Sequence, residues 1–408
     1  MLVFKIAWRN ILRYKRRSLF AMMTILVGVA GIVLFGGFVE ANYIGLRESI
    51  IRSQYGHLQI HQKGYELNYR REPNPYRMTP DLTRQAQALL ESIPNVLITS
   101  RRLEFTGLLG NQQNSRAAIV RGVDPDSEAL INSALTITDG TDLDSAKPEG
   151  VLLGEGLAQG IDAKVGDTLT LLGTTVNGVM NAVDVEVVGI FQSFAKEYDD
   201  AAMMMVLENA QNLLNTQSID TLVVLLDDTL ALPEAVASIV DKTQQQQLDI
   251  EWIEWFKMAS FYQKVVDLYS GFFLFINLVI YIVVLFGVSN TMIVTVMERT
   301  SEIGTLRAMG MRRGGIIRQF LAEGLMLALL GALLGVASGI AITWLINSLE
   351  IMMPPPPGSS KGYPLHLQYV EEIWFSTVFV VGVIAFFATF IPALQASRKA
   401  IVDALRHV

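Results

Sequence analysis

The sequence predicts a membrane α-helical protein with four transmembrane helices and a mixed α+β extracytoplasmic domain, on three observations. Of its 408 residues 51% are hydrophobic and only 17% charged, and its mean hydropathy is +0.37. That is too apolar for one soluble domain and too charged for a bundle lying wholly in lipid. Four apolar runs reach the ~20 residues that cross roughly 30 Å of hydrocarbon at about 1.5 Å per residue: 19–39, 271–297, 320–346 and 373–394. The long block 40–270 has the composition and turn spacing of a water-exposed fold.

Basic residues beside the runs set the orientation. Lys5, Arg9, Arg13, Lys15, Arg16 and Arg17 precede the first run, Arg299, Arg307, Arg312, Arg313 and Arg318 follow the second, and Arg398, Lys399 and Arg406 follow the fourth. Those three segments are expected in the cytoplasm, which places both termini inside and the acidic block 40–270 outside. An acidic outer domain argues against nucleic acid as a partner. Residues 1–18 mix Ile6, Ala7, Ile11 and Leu12 with cations, as an amphipathic helix at the cytoplasmic interface would. The run 19–39 is longer than a signal-peptide core and lacks a small-residue cleavage site, so a retained span is expected.

Within the outer block, 56–62 alternates as a strand, 81–93 opens on Asp81 as a helix cap, and 96–109 returns as strand. A second β-α-β pattern follows at 221–226, 233–247 and 250–255, with strands expected between them at 116–123, 151–153, 167–172 and 183–191. The economical organisation is one small domain inserted into another, with halves at about 42–111 and 206–258 and a β-rich insertion at about 112–205. Residues 256–269 read as a helix running straight into the second span.

Catalytic and metal chemistry find little support. His57 and His61 have a helical zinc spacing, but they lie on a strand, where roughly 13 Å would separate them. The chain has no Cys, which removes disulfides and thiolate ligands. No G-x-S-x-G precedes a helix, and no G-x4-G-K-[ST] exists to cradle a nucleotide's phosphates. No cofactor is expected in this chain, and any ATP and Mg would be bound by a partner ATPase.

The segment between the second and third spans is short, charged and helix-compatible. Glu298, Glu302 and Arg307 offer polar contacts, Ile303, Leu306 and Met309 recur every third residue, and Gly310 suits a helix stop. In the third span, Gly331, Gly335 and Gly339 recur every fourth residue as a smooth strip for close helix packing. Glu323 is the one charge within a predicted span, either reaching the interface or functional. Pro354, Pro355, Pro356 and Pro357, followed by Tyr363, make the outer loop 347–372 stiff, as a connector or as a lip touching cargo or a partner.

The stretch from Asn290 through 298–310, with 320–324, 331–335 and the tail 392–406, resembles the MacB and FtsX type permeases of ATP-binding cassette systems. Residues 151–158 and 165–169 are similar to that family's periplasmic core. The resemblance implies a porter subdomain interrupted by a β-rich subdomain, and a dimer with a second permease copy or paralogue working with two cytoplasmic ATPase subunits. It makes 298–318 the loop of a coupling helix, with Glu298, Arg299, Glu302, Ile303, Leu306, Arg307, Met309 and Gly310 meeting the ATPase. The layout looks most like the lipoprotein-releasing permeases, implying an inner-membrane subunit that passes ATP-driven motion outward to release lipoprotein or another amphipathic cargo to a periplasmic carrier or adaptor. MacB-like efflux of peptides or small amphiphiles, and FtsX-like signalling to a cell-wall hydrolase, stay open as alternatives.

Overall fold

Apolar runs too long for a soluble core become four helices long and apolar enough to cross a membrane, among the residues that the computed structural model describes: 2–68, 74–111, 113–193, 195–353 and 363–398. The chain divides into two compact units. One comprises Met1–Ile44, Val265–Met352 and Pro364–Val408, and the other Gly45–Lys264 with Met353–Tyr363. Pro354, Pro355, Pro356 and Pro357 and the tail beyond Arg398 lie outside the described residues, and Tyr363 is described in its backbone alone.

The first unit is built from α1 (Leu2–Arg13), α2 (Lys15–Ile50) as far as Ile44, α3 (Ser260–Glu298) from Val265 onward, α4 (Thr300–Ala308), α5 (Arg313–Ser348) and α6 (Glu371–Arg398). α2, α3, α5 and α6 contain the four predicted spans. Their common core is aliphatic, with Val29 and Val33 of α2, Val284 and Val288 of α3, Ala328 and Ala332 of α5, and Val381 and Ala385 of α6. Small residues let the backbones approach. A Cβ on Gly331 would meet Ile25 Cβ at 3.0 Å, one on Gly335 would meet Val29 Cβ at 2.7 Å and the Leu26 carbonyl oxygen at 2.9 Å, and one on Gly339 would meet Val33 Cβ at 2.9 Å. The glycine strip therefore receives α2 of the same chain, and its packing role is exercised within one protomer. Gly324 is filled in the same way by Thr389 of α6.

The second unit is mixed α and β, and its first layer is two interleaved β-α-β units. β1 (Leu58–Gln62), the helix Pro80–Glu91 and β2 (Val96–Gly110) form one. β9 (Thr221–Leu226), the helix Leu232–Gln246 and β10 (Ile250–Glu254) form the other. The strand order is β10-β1-β9-β2 and every neighbouring pair is antiparallel, so each unit's parallel strands flank a strand of the other. The intervening sequence supplies β3 (Ser115–Val123), β4 (Thr136–Gly140), β5 (Gly150–Gly154), β6 (Thr168–Thr174), β7 (Met180–Gln192) and β8 (Ala202–Val206). They extend the sheet as β2-β3-β8-β5-β7-β4, with β6 bonded to β2 and β7. β2, at 15 residues, is common to both layers: 96–102 pair with β9, whereas 102–110 pair with β3.

Local chemistry departs from the sequence reading in three places. The helix expected to begin at an Asp81 cap begins at Pro80, with Thr79 as the cap accepting from the Leu82 N–H at 3.3 Å; Asp81 sits in the first turn and pairs with Arg84. The helix expected over 256–269 is broken at Ala259 (φ −83°, ψ 65°), between a short turn Trp255–Met258 and α3. β4 and β8 add strands where none was expected. β8 reads Ala-Met-Met-Met-Val and is buried throughout, so it has no polar alternation to reveal it.

His57 and His61 are structural. The His57 Nδ1 accepts from the Leu226 N–H at 3.0 Å, so the proton is on Nε2, which donates to Thr229 Oγ1 at 2.9 Å. His61 Nδ1 lies 3.0 Å from the Asp220 carbonyl oxygen, and its ring stacks on Tyr65. Burial holds each imidazole down at about 4 against an ordinary 6.5. The unfolded chain then binds the extra protons, so the stability contribution is full above pH 6.5 and is lost as pH falls through 6.5 towards 4, about 3 kcal/mol for each residue. Acidification of the full-length protein from pH 7.5 to 5 is expected to lower the hydrogen-exchange protection of β1 and β9, corrected for intrinsic rates. His57→Gln with His61→Gln should flatten that dependence; an unchanged slope would assign it to other groups.

Candidate functional site

Among the described residues, the ion pairs of the first unit gather around the segment between α3 and α5. α3 ends at Glu298, Arg299 turns the chain (φ −101°, ψ 13°), and α4 runs from Thr300 to Ala308. Glu302 lies in its first turn and Arg307 in its last, each at the end where the helix dipole favours its charge. Gly310 adopts φ +97°, the left-handed conformation that suits glycine. Its N–H donates to the Arg307 carbonyl at 3.0 Å and that of Met311 to the Leu306 carbonyl at 3.1 Å, so the last carbonyls are satisfied and the helix stops.

Arg299 joins the segment to the bundle. Its Nε donates to Glu302 Oε2 at 2.9 Å and one terminal nitrogen to Glu323 Oε2 at 3.1 Å, while the guanidinium lies 5.4 Å from the centre of the Phe320 ring. Arg299 is 6% exposed and Glu323 4%. Glu323 therefore does not reach the interface, one of the two roles its sequence position allowed; it is the buried counter-charge of Arg299, and Asn10 Nδ2 also donates to it at 3.2 Å. A buried charge needs such partners, because neither ion alone would offset its lost hydration.

Two further arginines come from the N-terminal side. Arg17 pairs with Glu298 and donates to Thr295 Oγ1 at 3.2 Å, and Arg13 reaches Glu302 at 3.4 Å. Neither arginine was singled out by the sequence pattern as part of this segment. They stand more than 270 positions away in the chain, and a positive-inside flank looks the same whether its charges are solvated or paired.

The expected apolar stripe divides. Ile303 is buried with Val296, Ile316, Phe320, Ala393 and Ala396, Leu306 is half-buried, and Met309 is 72% exposed. At about 100° per residue, six positions rotate a side chain about 120° away from its start, so Ile303 and Met309 cannot share a face. Buried Ile303 and Gly304 anchor α4 to the bundle. Ser301, Thr305, Ala308, Met309 and Met311 form its open side, continued by exposed Arg312 and Arg313. The start of α4 is thus tied to α5 through Arg299 and Glu323, while its opposite side is open.

Comparison with known proteins gives a consistent picture. Residues 18–242 match the MacB-like periplasmic core domain, and residues 274–401 match the FtsX-like permease C-terminal family. The lipoprotein-releasing system transmembrane protein LolC of Neisseria meningitidis serogroup B is 24% identical, with 98% of this chain and 99% of that protein covered. The macrolide export ATP-binding/permease protein MacB of Psychrobacter arcticus is 25% identical over 84% of this chain, which spans about half (52%) of that relative's length. The crystal structure of the periplasmic region of MacB from Actinobacillus actinomycetemcomitans aligns with a TM-score of 0.37 at 14% identity, covering 51% of this chain and 93% of that one.

Proposed function

The chain belongs to the MacB/FtsX superfamily of ABC transporter permeases, and from that premise we propose that it is the subunit that carries motion from a separate cytoplasmic ATPase to the periplasmic face, where it releases lipoprotein or another amphipathic cargo. The observation that carries this reading is α4, bound to α5 through the buried Arg299–Glu323 pair and open along Thr305 and Met309. Its two termini and α4 lie in the cytoplasm, and the unit from Gly45 to Lys264 lies outside. ATP and Mg are held by the ATPase. Closure of that ATPase pushes the open side of α4, and the work passes into the spans without covalent chemistry in this chain. The second span keeps most of its apolar surface open in the single chain, including Phe272, Phe275 and Phe286, which suits a second permease copy or paralogue. A periplasmic carrier or adaptor takes up the cargo. The likeness to LolC along nearly the whole chain favours lipoprotein as that cargo.

Glu302→Lys places a cation beside Arg299 and Arg13 and is expected to lower cargo-stimulated ATP turnover at least about fivefold, the lower end of ordinary site-to-site coupling. The protein should still insert in the membrane. Retained ATPase binding with undiminished stimulation by an acylated protein would overturn the reading. The likeness to MacB supports a second reading, efflux of peptides or small amphiphiles. Stimulation by such compounds and not by acylated protein would select it.

A further inference from the structure

The outward surface of α1 carries a chemistry that the coupling role does not use. Ala7 and Ile11 are buried, while Ile6, Trp8 and Leu12 are exposed among the exposed cations Lys5, Arg9 and Arg13, with exposed Lys15 and Arg16 following at the start of α2. Tyr14 alone separates α1 from α2, whose apolar run begins at Leu19, so α1 lies at the boundary between bilayer and water. A helix there that exposes apolar side chains beside three cations, with two more directly after it, is complementary to an anionic bilayer surface. Its apolar groups enter the headgroup layer while its cations meet phosphates.

The same helix is bonded to the segment around α4. Asn10 donates to Glu323 at 3.2 Å, and Arg13 pairs with Glu302 at 3.4 Å. Those are the two carboxylates that Arg299 also holds. The Arg13 side chain remains 68% exposed while it makes this contact, so a second anion can reach it. A lipid phosphate and the Glu302 carboxylate then compete for one guanidinium.

We propose that α1 is a docking surface for anionic phospholipid headgroups, and that capture of Arg13 by a headgroup frees Glu302 and thereby sets the position of α4. The regulatory part rests on the reading of α4 as the ATPase contact; the lipid contact does not. In a neutral bilayer Arg13 stays on Glu302, and in an anionic one it turns to the lipid.

Because the chain has no Cys, Leu12→Cys with Thr305→Cys gives a doubly spin-labelled full-length protein whose label separation can be read in nanodiscs of phosphatidylglycerol or of phosphatidylcholine. The distance distribution is expected to differ between the two lipids and to become the same when Arg13→Gln is added. Inorganic phosphate added to phosphatidylcholine discs should leave it unchanged. With the ATPase bound, turnover should differ about fivefold between the lipids and converge in Arg13→Gln, as for a modest coupling between two sites. Equal distributions in both lipids, a difference that survives neutralisation of Lys5, Arg9, Arg13 and Arg16 to Gln, or a shift produced by soluble phosphate would each overturn the proposal. A lipid-dependent distance in a protein that binds no ATPase would uphold the docking surface and remove the coupling reading instead.

Discussion

Arg299→Ala is expected to destabilise the membrane unit by about 3–5 kcal/mol, the usual cost of removing one partner from a buried ion pair. The pair is closed to water on both sides, with Arg299 at 7% and Glu323 at 5% side-chain exposure, so solvent cannot replace the lost guanidinium. Asn10 would be left as the remaining partner of Glu323 among the contacts described above, a neutral donor facing a charge. Arg299→Lys should fall between, since an ammonium lacks the planar fork that serves Glu302 and Glu323 together. Arg299→Ala with Glu323→Ala should recover much of the loss, because the unpaired charge is then gone. Thermal unfolding of the full-length protein in detergent, followed by gel filtration of the heated samples, measures all three. If the single and double variants unfold alike, the pair is not what holds α4 to α5.

Gly335→Leu should cost about 3 kcal/mol, the upper end of the usual range for overpacking, because an enlarged helix contact forces backbones apart. Even the first added carbon would sit 2.9 Å from the Leu26 carbonyl oxygen, which belongs to a helix backbone and cannot turn aside as a side chain can. Gly335→Ala should show a smaller loss of the same sign. The strip receives α2 of its own chain, so the expected defect is in the fold of the protomer, read as a lowered Tm and greater protease sensitivity. A variant that keeps the Tm but loses its dimer would move the strip to an interface between chains.

The spans and the interleaved β-α-β elements were legible because each follows a short-range rule. A run of apolar residues longer than a soluble helix needs, or a switch from period two to period 3.6, can be read one window at a time. The pairing of Arg299 with Glu323 was not legible, since the two stand 24 positions apart and a glutamate near a span end has the same sequence whether it meets water or an arginine. Ile303 was misjudged for a related reason: repetition every third residue resembles a stripe until the rotation of each turn is followed to Met309. Asp81 and Thr79 are both good caps, and the choice between them was made by Pro80, whose fixed φ suits the first helical position and leaves the preceding threonine extended. β4 escaped notice because it is a polar strand at the end of the sheet order, without alternation.

The interleaving of β1 with β9 and β10 has a consequence for biosynthesis. β1 emerges early, yet both of its neighbours belong to the segment from Thr221 to Glu254, so its hydrogen-bonding edges stay bare while the whole intervening sequence is made. β3 to β8 pair only with one another and with β2, so every partner they need has been made before that point. Bare strand edges of this kind are sites of mispairing between chains. Until Glu254 has been made, β1 therefore offers both of its edges to any strand nearby.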